Sequence, residues 1–136
     1  MKTISKLSIV LVLLAISAVL LSSCQYGNQR EKEKSEMEEA RKEMISKYEE
    51  LKNDIDERID EIDRRMEGAS DELKEGLEGA KEELLDERSE LEKAMDDLKD
   101  ASSDTWDEVS AFAENTYSSV KEGVQEIIQD IEAWFE

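Results

Sequence analysis

The side chains of this sequence that could take part in chemistry are one cysteine and many carboxylates. Cys24 is the only cysteine, and the chain has no histidine. This composition excludes a Ser-His-Asp triad, a Cys-His dyad and imidazole ligands for zinc. Adjacent acids such as Glu82 and Glu83 could attract Ca²⁺ or Mg²⁺, but no D-x-D-x-D-G loop is present. We therefore predict no catalytic residue, no metal site and no cofactor, and an enzyme or metal-dependent factor is the minor alternative.

The residues before Cys24 have the order of a bacterial export signal. Lys2 and Lys6 precede an apolar run over residues 7–21, and small residues follow it. The apolar run has about fifteen residues, whereas a bilayer-spanning helix needs about 20. At its end, Leu21, Ser22, Ser23 and Cys24 resemble the lipobox of bacterial lipoproteins.

That resemblance implies that residues 1–23 are a cleaved signal peptide and that Cys24 is diacylated. Each buried CH₂ of an acyl chain contributes about 0.8 kcal/mol, and two or more chains give stable membrane anchoring. The resemblance also implies the outer membrane, where the organism has one, because Gln25 rather than Asp follows the cysteine. The alternatives are an ordinary secretory signal beside an incidental thiol, and an uncleaved signal anchor.

Acidic charge dominates the rest of the chain and limits the classes of partner. The net charge is −19, and residues 104–136 contain nine acids and one base. Nucleic acid requires clustered Lys and Arg, so we predict no nucleic-acid binding. An anionic bilayer surface would also repel this body at long range. No small-molecule substrate is indicated.

Apolar residues repeat at helical spacing after a polar stretch. Residues 24–35 lack periodicity, and we expect a lipidated cysteine followed by a flexible tether. Over about 36–67 the apolar steps form an eleven-residue repeat, which keeps one face of a helix apolar. The positions are Met37, Ala40, Met44, Tyr48, Leu51, Ile55, Ile59, Ile62 and Met66.

Two further helices are predicted, over about 71–101 and 105–135. Gly68 suits a left-handed helix end, Ser70 suits an N-cap, and Thr105 with Glu108 fits a capping box, with Ser103 or Asp104 as rival caps. The second helix carries leucines seven residues apart, at Leu77, Leu84, Leu91 and Leu98. The third repeats the eleven-residue steps of the first, at Trp106, Val109, Ala113, Tyr117, Val120, Val124, Ile128, Ile131 and Phe135.

Three helices of similar length with short connections favour antiparallel neighbours. We therefore predict an all-α fold, in which residues 36–136 form an elongated antiparallel three-helix bundle or coiled coil after an N-terminal signal helix. A two-helix hairpin with a partly docked third helix is the main alternative. A continuous long helix packed in an oligomer comes next. Self-association is also expected, because thin apolar stripes give marginal stability to a monomer.

The third helix concentrates the aromatic side chains. The simplest interpretation is that they form the core of the bundle. The alternative is a face that docks a protein partner. The candidates for such a face are Trp106, Phe112, Tyr117, Trp134 and Phe135.

The stretch ELEKAMDDLKDASSDTWDEVSAFAENTYSSVKEGVQEI, residues 90–127, is similar to small bacterial coiled-coil proteins grouped as stress-response proteins. The resemblance implies a non-enzymatic role and supplies no functional residues. Soluble members of such groups lack a lipobox, so this chain departs from them. We expect a lipid-anchored protein of the bacterial cell envelope that acts through helix–helix contacts. The alternative is an accessory or chaperone-like subunit that binds a specific partner through the third helix.

Overall fold

A computed structural model describes the backbone of residues 6–136 and the side chains of residues 29–136. The described chain is all-α and contains three helices, α1 (Lys6–Met66), α2 (Asp71–Asp100) and α3 (Trp106–Trp134). The chain divides into two units, Met1–Glu38 and Glu39–Glu136, and the packing of the three helices belongs to the second. The predicted three-helix bundle is confirmed. The predicted bounds of α2 and α3 are correct to within one residue at each end.

The start of α1 differs from the prediction. Residues 24–35 are helical, whereas the sequence analysis expects a flexible tether there. From Gln29 onward the segment consists almost entirely of Glu, Lys, Arg and Gln, which have high helix propensity. Residues 29–36 are all exposed. Residues 29–36 therefore extend α1 without an apolar stripe, and their high helix propensity favours this extension.

The two breaks between helices fall where they are predicted, although their details differ. Ser70 caps α2, and its Oγ accepts a hydrogen bond from the Leu73 N–H at 3.4 Å. No glycine with described geometry has a positive φ, so the predicted left-handed conformation of Gly68 is wrong. Instead, the Ala69 N–H closes the end of α1 by donating to the Met66 carbonyl. Thr105 precedes α3 but forms no side-chain cap, because its Oγ1 accepts from the Ser102 N–H at 3.1 Å.

Contacts between side chains define an up-down-up topology. Residue numbers rise on α1 as they fall on α2, so these helices are antiparallel. Ion pairs between described residues of the two helices show this: Lys52–Glu92 at 3.4 Å, Arg88–Asp56 at 3.1 Å and Lys81–Asp63 at 2.7 Å. By the same reasoning α1 and α3 are parallel, since Arg41 contacts Trp106 and Arg65 contacts Phe135.

The apolar stripes of the three helices form one core. Tyr48 and Tyr117 occupy equivalent positions in the eleven-residue repeats of α1 and α3, and their ring centroids are 5.9 Å apart. Two parallel helices with the same repeat therefore stay in register along the core. Ile127 is more deeply buried than Ile128, which the repeat places in the stripe. The largest fully buried side chains are Tyr48, Ile55, Leu77, Leu84, Leu91, Leu98 and Val120.

Candidate functional site

The predicted lipidation site lies outside the described side chains. The backbone of α1 runs through Leu21, Ser22, Ser23 and Cys24, but the structure describes side chains only from residue 29 onward. Within the described residues, no helix is long and apolar enough to cross a membrane. The lipobox and its cysteine therefore stay a prediction from the sequence.

Two of the five aromatic candidates on α3 pack against the bundle core. Tyr117 contacts the Tyr48 ring, and Trp106 lies under the Arg41 guanidinium, whose carbon is 5.6 Å from the ring centroid. Both aromatic side chains are half-buried against the core. For Trp106 and Tyr117 the core interpretation therefore fits best.

The other three aromatic candidates are exposed and lie in two separate places. Phe112 is 60% exposed, and Trp134 and Phe135 are 43% and 46% exposed. Phe112 lies 22 residues before Trp134, about 33 Å along a helix. The Phe135 ring packs under Arg65, 4.8 Å from the guanidinium carbon. The five candidates therefore do not form a single face.

One buried polar contact joins α1 to α3. The Tyr48 hydroxyl donates a hydrogen bond to the Ala113 carbonyl oxygen. Burial raises the pKa of Tyr48 to about 12, because the phenolate would be poorly solvated. The Arg41 guanidinium donates in the same way to the Ala101 carbonyl oxygen at the end of α2. These contacts fix the register of α1, and their role is structural.

The most distinctive surface of the bundle is a groove between α2 and α3. Two neighbouring depressions of about 340 and 240 Å³ share Glu83, Ile127 and Asp130. The floor is made of small and apolar residues, and Trp134 closes one end. We call this surface the acidic groove; its floor is Gly76, Gly79, Ala80, Gly123 and Ile127, and its rim is Glu75, Glu83, Asp86, Glu87, Glu126 and Asp130.

Glycines shape the floor of the acidic groove. A Cβ atom added at Gly76 would lie 3.4 Å from the Trp134 ring, whereas one added at Gly79 would meet no atom within 4 Å. At Gly123 an added Cβ would lie only 2.6 Å from Oε1 of Glu87. The carboxylate of Glu87 therefore crosses from α2 onto the backbone of α3. Glu87 lies seven residues after Ala80 and seven before Ala94, a position of α2 where an apolar residue would be expected.

The rim of the acidic groove carries uncompensated negative charge. None of its six carboxylates forms an ion pair within the described part of the chain, whereas the facing side chains of α1 and α2 form three. Burial, followed by the charges of Glu90, Asp86 and Glu83, raises the pKa of Glu87 above its ordinary value. The like charges along the acidic groove therefore repel one another.

The acidic groove is not predictable from the sequence alone. Its signals are present, because α3 has one base and glycines occur at 76, 79 and 123. Those signals become a surface only when the register between antiparallel α2 and α3 is known. Nothing in either helix alone indicates that Glu87 lies against Gly123.

The rim carboxylates are spread along the groove rather than gathered at a point. Among the described residues, no group of three or more Asp, Glu or Cys side chains is arranged to hold a metal ion. The carboxylates lie on both sides of the groove, over residues 75–87 of α2 and 126–130 of α3.

No protein-family model, curated protein sequence or solved structure matches the chain. The resemblances to bacterial lipoproteins and to coiled-coil stress-response proteins therefore stay predictions.

Proposed function

We propose that this protein is a lipid-anchored, non-enzymatic component of the bacterial cell envelope that acts through helix–helix interactions. The observation that carries the proposal is the order of residues 1–24, with two lysines, an apolar run, two serines and then the only cysteine. A lone exported thiol beside a signal end is a reactive liability unless it is modified. Acylation of Cys24 accounts for its presence and its position.

The helical bundle supports an interaction role. A groove between α2 and α3 is open to solvent, and its lining residues run over 75–87 of α2 and 123–134 of α3. A role in stress response is the finer part of the proposal and rests on the resemblance of residues 90–127. The outer membrane is the proposed location, where the organism has one, because Gln25 follows the cysteine.

Substitution of the cysteine tests the anchor. Cys24→Ala removes the acylated thiol, so we expect an uncleaved precursor that lacks lipid. Ser23→Ala keeps a small residue before the cleavage point and is the matched control, with processing and lipidation retained. Electrophoretic mobility and partitioning into detergent measure both variants. Cleavage and electrophoretic mobility of Cys24→Ala equal to those of the wild type would refute lipidation. Detergent partitioning alone would not, because an uncleaved precursor keeps its apolar signal.

A second function is favoured by one observation, the 60% exposure of Phe112 on α3. In this alternative the protein is an accessory or chaperone-like subunit whose partner contacts the third helix. A photo-crosslinking residue placed at 112 would then trap one defined partner in cells. The same residue at Ser119, which is also exposed on α3, is the control. Equal crosslinking patterns from the two positions would count against a partner at Phe112.

A further inference from the structure

We propose that the acidic groove binds a positively charged amphipathic α-helix of a partner protein. The inference deepens the proposed interaction role and rests on that part of the proposed function. It does not depend on the lipid anchor. Its three supports are the shape of the groove, its unpaired charge and its exposed aromatic end.

The shape of the groove suits a helix. Small residues at an interface allow two helix backbones to approach closely, and Gly79 has no atom within 4 Å of the place where a side chain would begin. Ala80 and Ile127 line the floor but are each only 6% exposed, so the exposed apolar area in the groove comes mainly from Trp134. Trp134 adds a half-exposed indole at one end. A helix with small apolar residues on one face could therefore cover this floor.

The negative charge of the rim favours basic residues beside the apolar face of the docked helix. The six rim carboxylates are supplied by both walls of the groove and have no ion pairs within the described residues. Lysine or arginine side chains on a docked helix would reach both walls. They would also remove the repulsion that Glu83 and Asp86 exert on Glu87. Complementary charge of this kind guides association and selects the partner.

Other occupants fit the groove less well. A second copy of this chain, with a net charge of −19, complements the acidic rim poorly, so the expected self-association would use another surface. A small cation would leave the apolar floor and Trp134 uncovered. The floor and the rim together therefore indicate a basic amphipathic segment.

Titration with a designed peptide tests the proposal on the full chain in a neutral detergent. The probe is a labelled 21-residue helical peptide with alanine on one face and lysines flanking it, and the control peptide has glutamate in place of lysine. We expect saturable binding of the lysine peptide by fluorescence anisotropy and none of the control. In a Trp106→Phe background, the emission of Trp134 should shift to shorter wavelength on binding.

Substitutions locate the binding site. Glu83→Gln combined with Asp130→Asn removes one charge from each wall of the groove, and we expect at least tenfold weaker binding. Glu50→Gln combined with Glu57→Gln removes two exposed charges from α1, and we expect a change of less than twofold. An equal effect of the two pairs would overturn the proposal, because binding would then follow net charge alone.

A third variant separates blocked binding from lost folding. Gly79→Leu puts a side chain on the open floor of the groove, where the structure has room for it. We expect helicity and melting temperature to be kept or raised while the lysine peptide binds at least tenfold more weakly. Unchanged affinity in this folded variant would overturn the proposal. A failure here would leave the lipidation of Cys24 unaffected, so the two proposals fail independently.

Discussion

Tyr48 of α1 helps to hold that helix in position against α3. Its ring lies in the core, and its hydroxyl donates to the Ala113 carbonyl of α3. A tyrosine at this position supplies both apolar area and one directed contact. Phenylalanine would keep the area and lose the contact.

We expect Tyr48→Phe to lower the free energy of unfolding by about 1 kcal/mol, the usual contribution of one buried hydrogen bond. Tyr117→Phe is the matched control, because the structure shows no hydrogen bond from that half-buried hydroxyl within the described residues. Urea denaturation followed by circular dichroism measures both variants. A Tyr117→Phe variant that loses as much stability as Tyr48→Phe would show that the contact is unimportant.

Glu87 is a residue at which burial, and then the charges of neighbouring carboxylates, oppose ionisation in the folded protein. Burial and then Glu90, Asp86 and Glu83 raise its pKa in the folded protein. A carboxyl group with a raised folded pKa binds its proton more tightly in the folded state than in the unfolded state. The stability that the folded protein gains from proton binding at Glu87 is therefore complete below the ordinary pKa of 4.5. It is lost as the pH rises through the raised pKa of the folded state.

Glu87→Gln should consequently stabilise the protein by about 0.5 kcal/mol at pH 7, the scale of like-charge pairs one helical turn apart. At pH 4 the variant and the wild type should have nearly equal stability. Thermal melts at the two pH values measure the difference. Glu57→Gln, which removes one exposed carboxylate from α1, controls for the loss of charge alone. A stability difference for Glu87→Gln that is the same at both pH values would contradict this explanation.

At the scale of the element, α2 shows how narrow the buried face of each helix is. Leu84 and Leu85 are neighbours in sequence, yet Leu84 is 0% exposed and Leu85 is 42% exposed. A helix turns about 100° per residue, so adjacent residues lie on different faces. The stripe therefore consists of single rows of side chains flanked by charge.

We expect Leu84→Ala to cost about 3 kcal/mol, because it leaves a cavity in the core. Leu85→Ala should cost less than about 1 kcal/mol, since its side chain is already half in water. Denaturant unfolding of the two variants provides a matched comparison with identical chemistry. Similar losses for both would mean that α2 does not present Leu84 to the core.

The helices could be predicted from the sequence because their signals are local. Apolar periodicity predicts the stripes of α1 and α3, and the serine before two acids predicts the cap at Ser70, which the hydrogen bond to Leu73 confirms. The start of α1 was predicted wrongly, because a lack of apolar periodicity was interpreted as a lack of helix. Residues 29–36 show that exposed residues of high propensity extend a helix without a stripe.

The surfaces between helices were harder to predict, since they depend on register. The sequence places five aromatic residues on one candidate partner face of α3. In the structure Trp106 and Tyr117 pack against the core, whereas Phe112 is exposed. The acidic groove needs the juxtaposition of Glu87 and Gly123, which lie 36 residues apart in the sequence. Periodicity within one helix carries no information about such a pair.

At the scale of the whole molecule, charge is unevenly distributed over the three helices. Basic residues of α1 and α2 form ion pairs where these two helices meet. The opposite seam, between α2 and α3, keeps its negative charge unpaired. We infer that one seam serves stability and the other serves recognition.

The intact mass of the protein extracted from bacterial membranes tests the central claim most directly. The account predicts the mass of residues 24–136 plus a lipid with two or three acyl chains on Cys24. Recovery of the unmodified chain with a free thiol, in a species that needs no detergent, would contradict it.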